Sequence, residues 1–70
     1  MKSVEDKIET LNISSNKINK LKKFNINYIK EIWKLTRKDL KNIGFNDQEI
    51  KQIIISLQLE GLDLNKKIYD

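Results

Sequence analysis

Residues 35–57, LTRKDLKNIGFNDQEIKQIIISL, decide the fold because they predict two helices joined by a tight turn. Thr36 and Asn46 are good N-caps, and each is followed three residues later by an acid, the spacing of a capping box. Gly44 is expected to end the first helix, since glycine enters the left-handed conformation without steric cost. We expect Phe45 to fill the corner where the two helices cross.

The helix after this turn has one broad apolar face. Its members recur at the i, i+3, i+4 and i+7 spacing of a helical side and are Ile50, Ile53, Ile54 and Leu57. Upstream, Ser14 or Ser15 can cap a first helix, and a short second helix is predicted over about residues 28–34. The inner face of the first helix is expected to comprise Ile18, Leu21 and either Phe24 or the stem of Lys22.

Seventy residues form one domain, and the absence of proline with only two glycines indicates an all-helical chain. We predict an all-α domain of four to five helices over residues 8–64, compact and with a helix-hairpin-helix-like core. Residues 1–7 and 65–70 are polar and are predicted to be flexible ends. Gly61 is expected to stop the last helix, and the two leucines beyond it to fold back as an extended tail.

The composition excludes several classes of function. The protein has no cysteine and no histidine, which removes disulfides, sulfur-ligated metals and the commonest general base. A domain of this size can hardly hold both a core and a walled pocket, so we expect no enzyme activity, no cofactor and no small-molecule substrate. No apolar run is long enough to span a membrane, and the apolar face of the first helix is too narrow to lie on one.

The positive charge is concentrated in the middle of the sequence. Residues 14–41 contain nine bases and two acids, a balance of +7, whereas residues 42–65 contain four acids and one base, a balance of −3. A one-sided basic surface points to a polyanionic partner. The opposing interpretation is a plain solvated face, because 13 lysines, 12 isoleucines and 8 asparagines with no alanine are typical of A/T-rich coding.

Five segments match, in order and at fixed spacing, the motifs of one known family. They are residues 8–14 (family Ile-Glu-Glu-Leu-Asp-Leu-Ser), 19–22 (Asn-Cys-Leu-Lys), 25–32 (Gly-Ile-Asn-Thr-Val-x-Glu-Leu), 35–40 (Leu-Ser-Glu-Glu-Glu-Leu) and 60–64 (x-Gly-Leu-Ser-Leu). The sequence thereby resembles the C-terminal domain of the bacterial or plastid RNA polymerase alpha subunit. The likeness covers about residues 8–64, with one residue missing just before Phe45.

The resemblance implies a non-catalytic transcription domain that binds A/T-rich upstream promoter DNA in the minor groove. It also implies docking of sigma factor, regulators or other polymerase subunits, in the cytoplasm at the nucleoid or in a plastid-type organelle. The residues assigned to DNA on this basis are Asn16, Lys17, Asn19, Lys20, Lys23, Asn46 and Gln48. Those assigned to protein docking are Thr10, Asn12, Arg37 and Lys38.

The sequence departs from the family at two DNA-binding positions. The principal minor-groove arginine of the family corresponds to Asn16, and the family's Gly-Lys-Lys-Ser before the last helix becomes Asn-Asp-Gln-Glu at residues 46–49. Acids at a helix N-terminus take the place that a phosphate would occupy. We therefore expect weak DNA binding, or binding shifted onto Lys17, Lys20, Lys22 and Lys23.

Two other families share parts of this pattern. LTRKDLKNIGF, residues 35–45, is similar to the Leu-Thr-x-x-Asp-Leu-x-x-Leu-Gly-Ile of SAM interaction domains, which would imply protein binding without DNA. The usual Gly-x-Arg of those domains near the last helix is absent. A helix-hairpin-helix module of a repair or recombination protein is the third interpretation, with its hairpin Gly-x-Gly reduced to Gly-Phe-Asn at residues 44–46.

Overall fold

The structure, a computed structural model, describes residues 4–68, and within them it contains four α-helices and one short β-ribbon. The elements in sequence order are a 3₁₀ turn (Ile8–Thr10), α1 (Ser15–Lys23), α2 (Ile29–Trp33), α3 (Arg37–Ile43), α4 (Asp47–Gln58), β1 (Leu62–Asp63) and β2 (Lys67–Ile68). Each strand has two residues, so the predicted all-α class is confirmed. The predictions for residues 1–3 and 69–70 lie outside the described residues.

The α3–α4 hairpin forms as the sequence predicts. The backbone N–H of Asp39 donates to the Thr36 hydroxyl over 3.2 Å, and a carboxylate oxygen of Asp39 accepts from the N–H of Thr36 over 2.9 Å. Asn46 and Glu49 make the same reciprocal pair at the start of α4, over 2.8 and 2.9 Å. Gly44 follows α3 with a φ of 117°, the left-handed conformation that glycine adopts without strain. Both helix starts and the turn between them are therefore fixed locally.

The core is a single cluster of aliphatic side chains closed by one aromatic ring. The four predicted positions of the α4 face are all buried, and Phe45 at the hairpin corner is only 3% exposed. The other buried apolar residues are Ile8, Leu11, Leu21, Ile26, Ile29, Ile32, Leu40, Leu62 and Leu64. The rim comprises half-buried side chains that include Trp33 and Leu35. Every helix thus contributes its apolar face to the same interior, as amphipathic helices of a small domain must.

The inner face of α1 differs from the prediction near the end of the helix. Leu21 is fully buried and Ile18 is half-buried, but Phe24 is 49% exposed and Lys22 is exposed as well. The helix ends at Lys23, and Asn25 takes a left-handed φ of 62°, which turns the backbone before the Phe24 ring can reach the core. Ile26 occupies that part of the interior instead. Asparagine tolerates this conformation better than other residues that carry a side chain.

Both ends of the described region are hydrogen-bonded to α2. The N–H groups of Ile29 and Lys30 donate to the carbonyls of Asp6 and Val4, and the indole N–H of Trp33 donates to the Lys67 carbonyl over 2.9 Å. These contacts extend beyond the predicted boundaries at residues 8 and 64, and flexibility of the ends stays a prediction.

The backbone leaves α4 earlier than the glycine that was expected to stop it. The helix ends at Gln58, and a turn follows in which Gly61 has a φ of 79°. The predicted fold-back after this turn is confirmed, since Leu62 and Leu64 are buried and β1 pairs with β2 in antiparallel register. Among the described residues, no helix has the length and apolar character that a membrane span requires.

Candidate nucleic-acid interface

One side of α1 carries most of the polar residues predicted to contact DNA. Asn16, Asn19, Lys20 and Lys23 follow the i, i+3, i+4 and i+7 spacing of one helical side within Ser15–Lys23. The two asparagines and Lys23 are exposed, whereas Lys20 is half-buried. The helix contains no acid. We call this set of four residues the α1 face.

The structure places α1 in contact with the hairpin and next to α4. The ammonium of Lys20 donates to the carbonyl of Gly44 over 3.1 Å and lies 5.2 Å from the centre of the Phe45 ring. Lys17 and Gln52, one from each helix, line a common groove of about 410 Å³. The α1 face therefore contacts the hairpin turn through Lys20, at Gly44, two residues before the N-cap of α4.

The start of α4 is occupied by the protein's own side chains. The amide oxygen of Asn46 accepts from the backbone N–H of Glu49, and the Glu49 carboxylate accepts from the N–H of Asn46. The ammonium of Lys41 lies 3.1 Å from the carboxylate of Asp47, in an ion pair that is largely exposed to solvent. The start of α4 thus carries two carboxylates, which disfavour an anionic ligand there, and the side chain of Gln48 is exposed.

The lysines around α1 differ in how strongly the protein engages them. Lys22 forms an ion pair with Glu9, which belongs to the 3₁₀ turn. The hydrogen bond from Lys22 lowers the pKa of the Glu9 carboxyl. Lys17 donates to the hydroxyl of Ser14 over 3.3 Å. Lys23 makes no ion pair with an acid in the part of the protein that the structure describes. Among these three lysines, Lys23 is the one best able to meet a phosphate.

The residues predicted to dock proteins lie in separate places. Asn12 lines the groove of Lys17 and Gln52, whereas Arg37 and Lys38 line another groove of about 460 Å³ next to β1. The Thr10 hydroxyl donates to the carbonyl of Lys7 over 2.7 Å. The structure therefore does not bring the docking residues together in one groove.

Two features of this surface escaped the sequence analysis. Gln52 lies one turn beyond Gln48 on α4, so the i+4 spacing could have added it to the candidate residues. The bond between Lys20 and Gly44 joins residues 24 apart, and no local pattern signals it. Within residues 4–68, no cluster of three acidic side chains is arranged to hold a metal ion.

Comparison with known proteins adds one match. The family model for the C-terminal domain of the bacterial RNA polymerase alpha chain matches residues 1–59, which include all four α-helices and every residue of the candidate interface. The search of curated proteins gives no match.

Proposed function

This protein belongs to the family of the C-terminal domain of the bacterial RNA polymerase alpha chain, and on that premise we propose that it contacts A/T-rich promoter DNA through the α1 face. The family is a non-catalytic, transcription-related domain. In the proposal, the protein acts with polymerase subunits, sigma factor or regulators in the bacterial cytoplasm. The observation that carries the DNA role is a polar, acid-free face of α1 lying next to the hairpin.

The chemistry of the α1 face suits the minor groove of A/T-rich DNA. A·T pairs present only acceptors there, and the side-chain amides of Asn16 and Asn19 provide donors. Lys23, one turn after Asn19, places an exposed cation where it can meet a phosphate. Without the arginine of the family, however, the narrow groove is read by hydrogen bonds alone and not by an inserted charge.

The start of α4 limits the strength of this binding. The carboxylates of Asp47 and Glu49 repel phosphate, and the second of them already accepts the N–H of Asn46. Each phosphate contact contributes about 0.9 to the slope of log K against log salt concentration, so few contacts give weak binding and a shallow slope. We therefore propose weak, salt-sensitive binding that prefers A/T-rich duplexes.

Protein docking is assigned to the groove of Arg37 and Lys38. No residue of α1 lines this groove, so a protein bound there leaves the α1 face open to DNA. Asn12 lies on the side of the molecule that carries Lys17. A protein docked on Asn12 would therefore meet the DNA surface.

The DNA role is tested by fluorescence anisotropy with a labelled A/T-rich duplex at low salt, repeated over a salt series and with a G/C-rich duplex. Lys23→Gln is expected to weaken A/T binding several-fold and to lower the salt slope by about 1. The control is Lys67→Gln, which removes the same charge from β2, in a groove that no α1 residue lines. Its effect is expected to be small.

Two results would contradict the proposal. Equal losses from Lys23→Gln and Lys67→Gln would show that DNA responds to net charge and not to α1. No binding to either duplex at low salt would favour the alternative, a protein-interaction domain of SAM-like shape. That alternative would also explain the acidic start of α4.

A further inference from the structure

Lys20 connects two parts of the molecule that the sequence separates. Its ammonium donates to the carbonyl of Gly44 over 3.1 Å and lies 5.2 Å from the centre of the Phe45 ring. The side chain is half-buried, in contrast to the exposed Asn16, Asn19 and Lys23 of the same face. The side chain of Lys20 therefore contacts the hairpin as well as solvent.

Both partners of this ammonium are sites that attract a cation. Gly44 is the residue at the end of α3, where the unpaired carbonyls give the helix terminus a partial negative charge. The face of an aromatic ring within about 6 Å attracts a cation as well. The Phe45 ring is itself fixed, since it is 3% exposed and the backbone N–H of this residue donates to Leu40 over 3.2 Å. One side chain of α1 is thus bound to the hairpin at two adjacent points.

We propose that Lys20 is a positioning residue, which holds the α1 face in register with the α3–α4 hairpin and does not itself bind phosphate. This inference rests on the proposed DNA role of the α1 face. A phosphate that recruited this ammonium would compete with the carbonyl of Gly44, whereas Lys23 has no acid partner among the described residues. The two lysines of this face therefore have different roles. Lys23 contacts phosphate, and Lys20 fixes the position of α1 relative to the hairpin.

The test compares Lys20→Met, which keeps an apolar stem without the charge, with Lys20→Arg and with the matched variant Lys23→Met. Three quantities are measured at a temperature where each variant is folded: hydrogen exchange at the Phe45 amide, affinity for the A/T-rich duplex, and the salt slope.

Lys20→Met is expected to speed exchange at Phe45 and to weaken duplex binding several-fold, with the salt slope unchanged because no phosphate contact is lost. Lys20→Arg is expected to restore exchange and affinity, since a guanidinium can also donate to the carbonyl and lie over the ring. Lys23→Met is expected to lower the slope by about 1 and leave exchange at Phe45 unchanged.

A salt slope that falls as much in Lys20→Met as in Lys23→Met, with exchange at Phe45 unchanged, would make Lys20 a phosphate ligand and overturn the inference. If Lys20→Met does not fold, Lys20→Arg decides, and failure of that variant to restore native exchange at Phe45 would also overturn it. If the native protein binds no duplex at all, the proposed function fails, yet the exchange measurements still test whether Lys20 fixes the hairpin.

Discussion

The helices α1 and α4 line a common groove but begin in opposite ways. Ser14, the N-cap of α1, accepts no capping hydrogen bond through its hydroxyl, and the first turn of that helix contains no acid. The start of α4 is closed by the reciprocal bonds of Asn46 and Glu49, and Asp47 adds a second carboxylate. The start of α1 therefore has no side-chain cap, whereas at the start of α4 the N–H groups of Asn46 and Glu49 are bonded to each other's side chains.

The difference shows how stability and ligand binding compete for the same backbone groups. An N-cap contributes about 1 kcal/mol to helix stability, which matters in a domain whose core is thin. The carboxylates that stabilise the start of α4 also repel an anionic ligand. In the proposed function, the DNA contact is therefore left mainly to α1.

The largest effect is expected at Phe45, where Lys20 of α1 contacts the α3–α4 hairpin. Phe45→Ala removes a ring that is 3% exposed, at an expected cost of about 3–5 kcal/mol in the free energy of unfolding. That cost is comparable with the whole stability of a small domain, so the variant should be largely unfolded or close to it. Urea denaturation followed by circular dichroism measures the change.

The matched control for this prediction is Phe24→Ala. It makes the same chemical change at a ring that is 49% exposed, and is expected to alter the free energy of unfolding by about 0.5 kcal/mol or less. Equal losses from both variants would show that the hairpin corner does not hold the two regions together.

A smaller effect is expected from a cation added at the start of α4. Gln48→Lys leaves the capping box intact, places a positive charge next to the two carboxylates, and should steepen the salt slope of duplex binding by about 1 with a several-fold gain in affinity. Gln58→Lys adds the same charge at the other end of α4 and serves as the control. If both variants gain equally, the start of α4 is no closer to DNA than its end.

The smallest effect concerns a third helix start, that of α2. The N–H groups of Asn27 and Tyr28 donate to one carboxylate oxygen of Glu31 over 2.9 and 3.0 Å, which lowers the pKa of that carboxyl below 4.5. A pKa that is lower in the folded state gives stability that is present above about 4.5 and is lost as the pH falls through the folded-state value.

Thermal unfolding over a range of pH tests this contribution. The melting temperature of the native protein is expected to fall slightly more steeply below pH 4.5 than that of Glu31→Gln, because the glutamine amide does not titrate. Curves that stay parallel down to acid pH would show that the two N–H groups do not hold the carboxylate.

Local chemistry made most of the fold predictable. Three kinds of feature depend on only a few neighbouring residues, and each is confirmed: the capping boxes of α3 and α4, the left-handed Gly44 and the apolar spacing of α4. The exposure of Phe24 was not predictable, because it depends on where Asn25 turns the backbone relative to the rest of the core.

The interface was predictable only in part. The family resemblance supplied the polar residues of α1 as candidates, and the helix brings four of them to one side next to the hairpin. Two contacts were not predictable, that of Lys20 with Gly44 and that of Lys22 with Glu9. Both join segments that are far apart in the sequence, so no spacing rule describes them. Whether these residues bind DNA stays a prediction.

The claim that α1 and not α4 supplies the DNA contact is tested most directly by NMR. An A/T-rich duplex is titrated at low salt into the ¹⁵N-labelled protein, and the backbone amide shifts are followed residue by residue. We expect the largest shift changes along Asn16, Asn19 and Lys23, with smaller changes at Asp47 and Gln48. Changes confined to the start of α4, or absent from α1, would contradict the account.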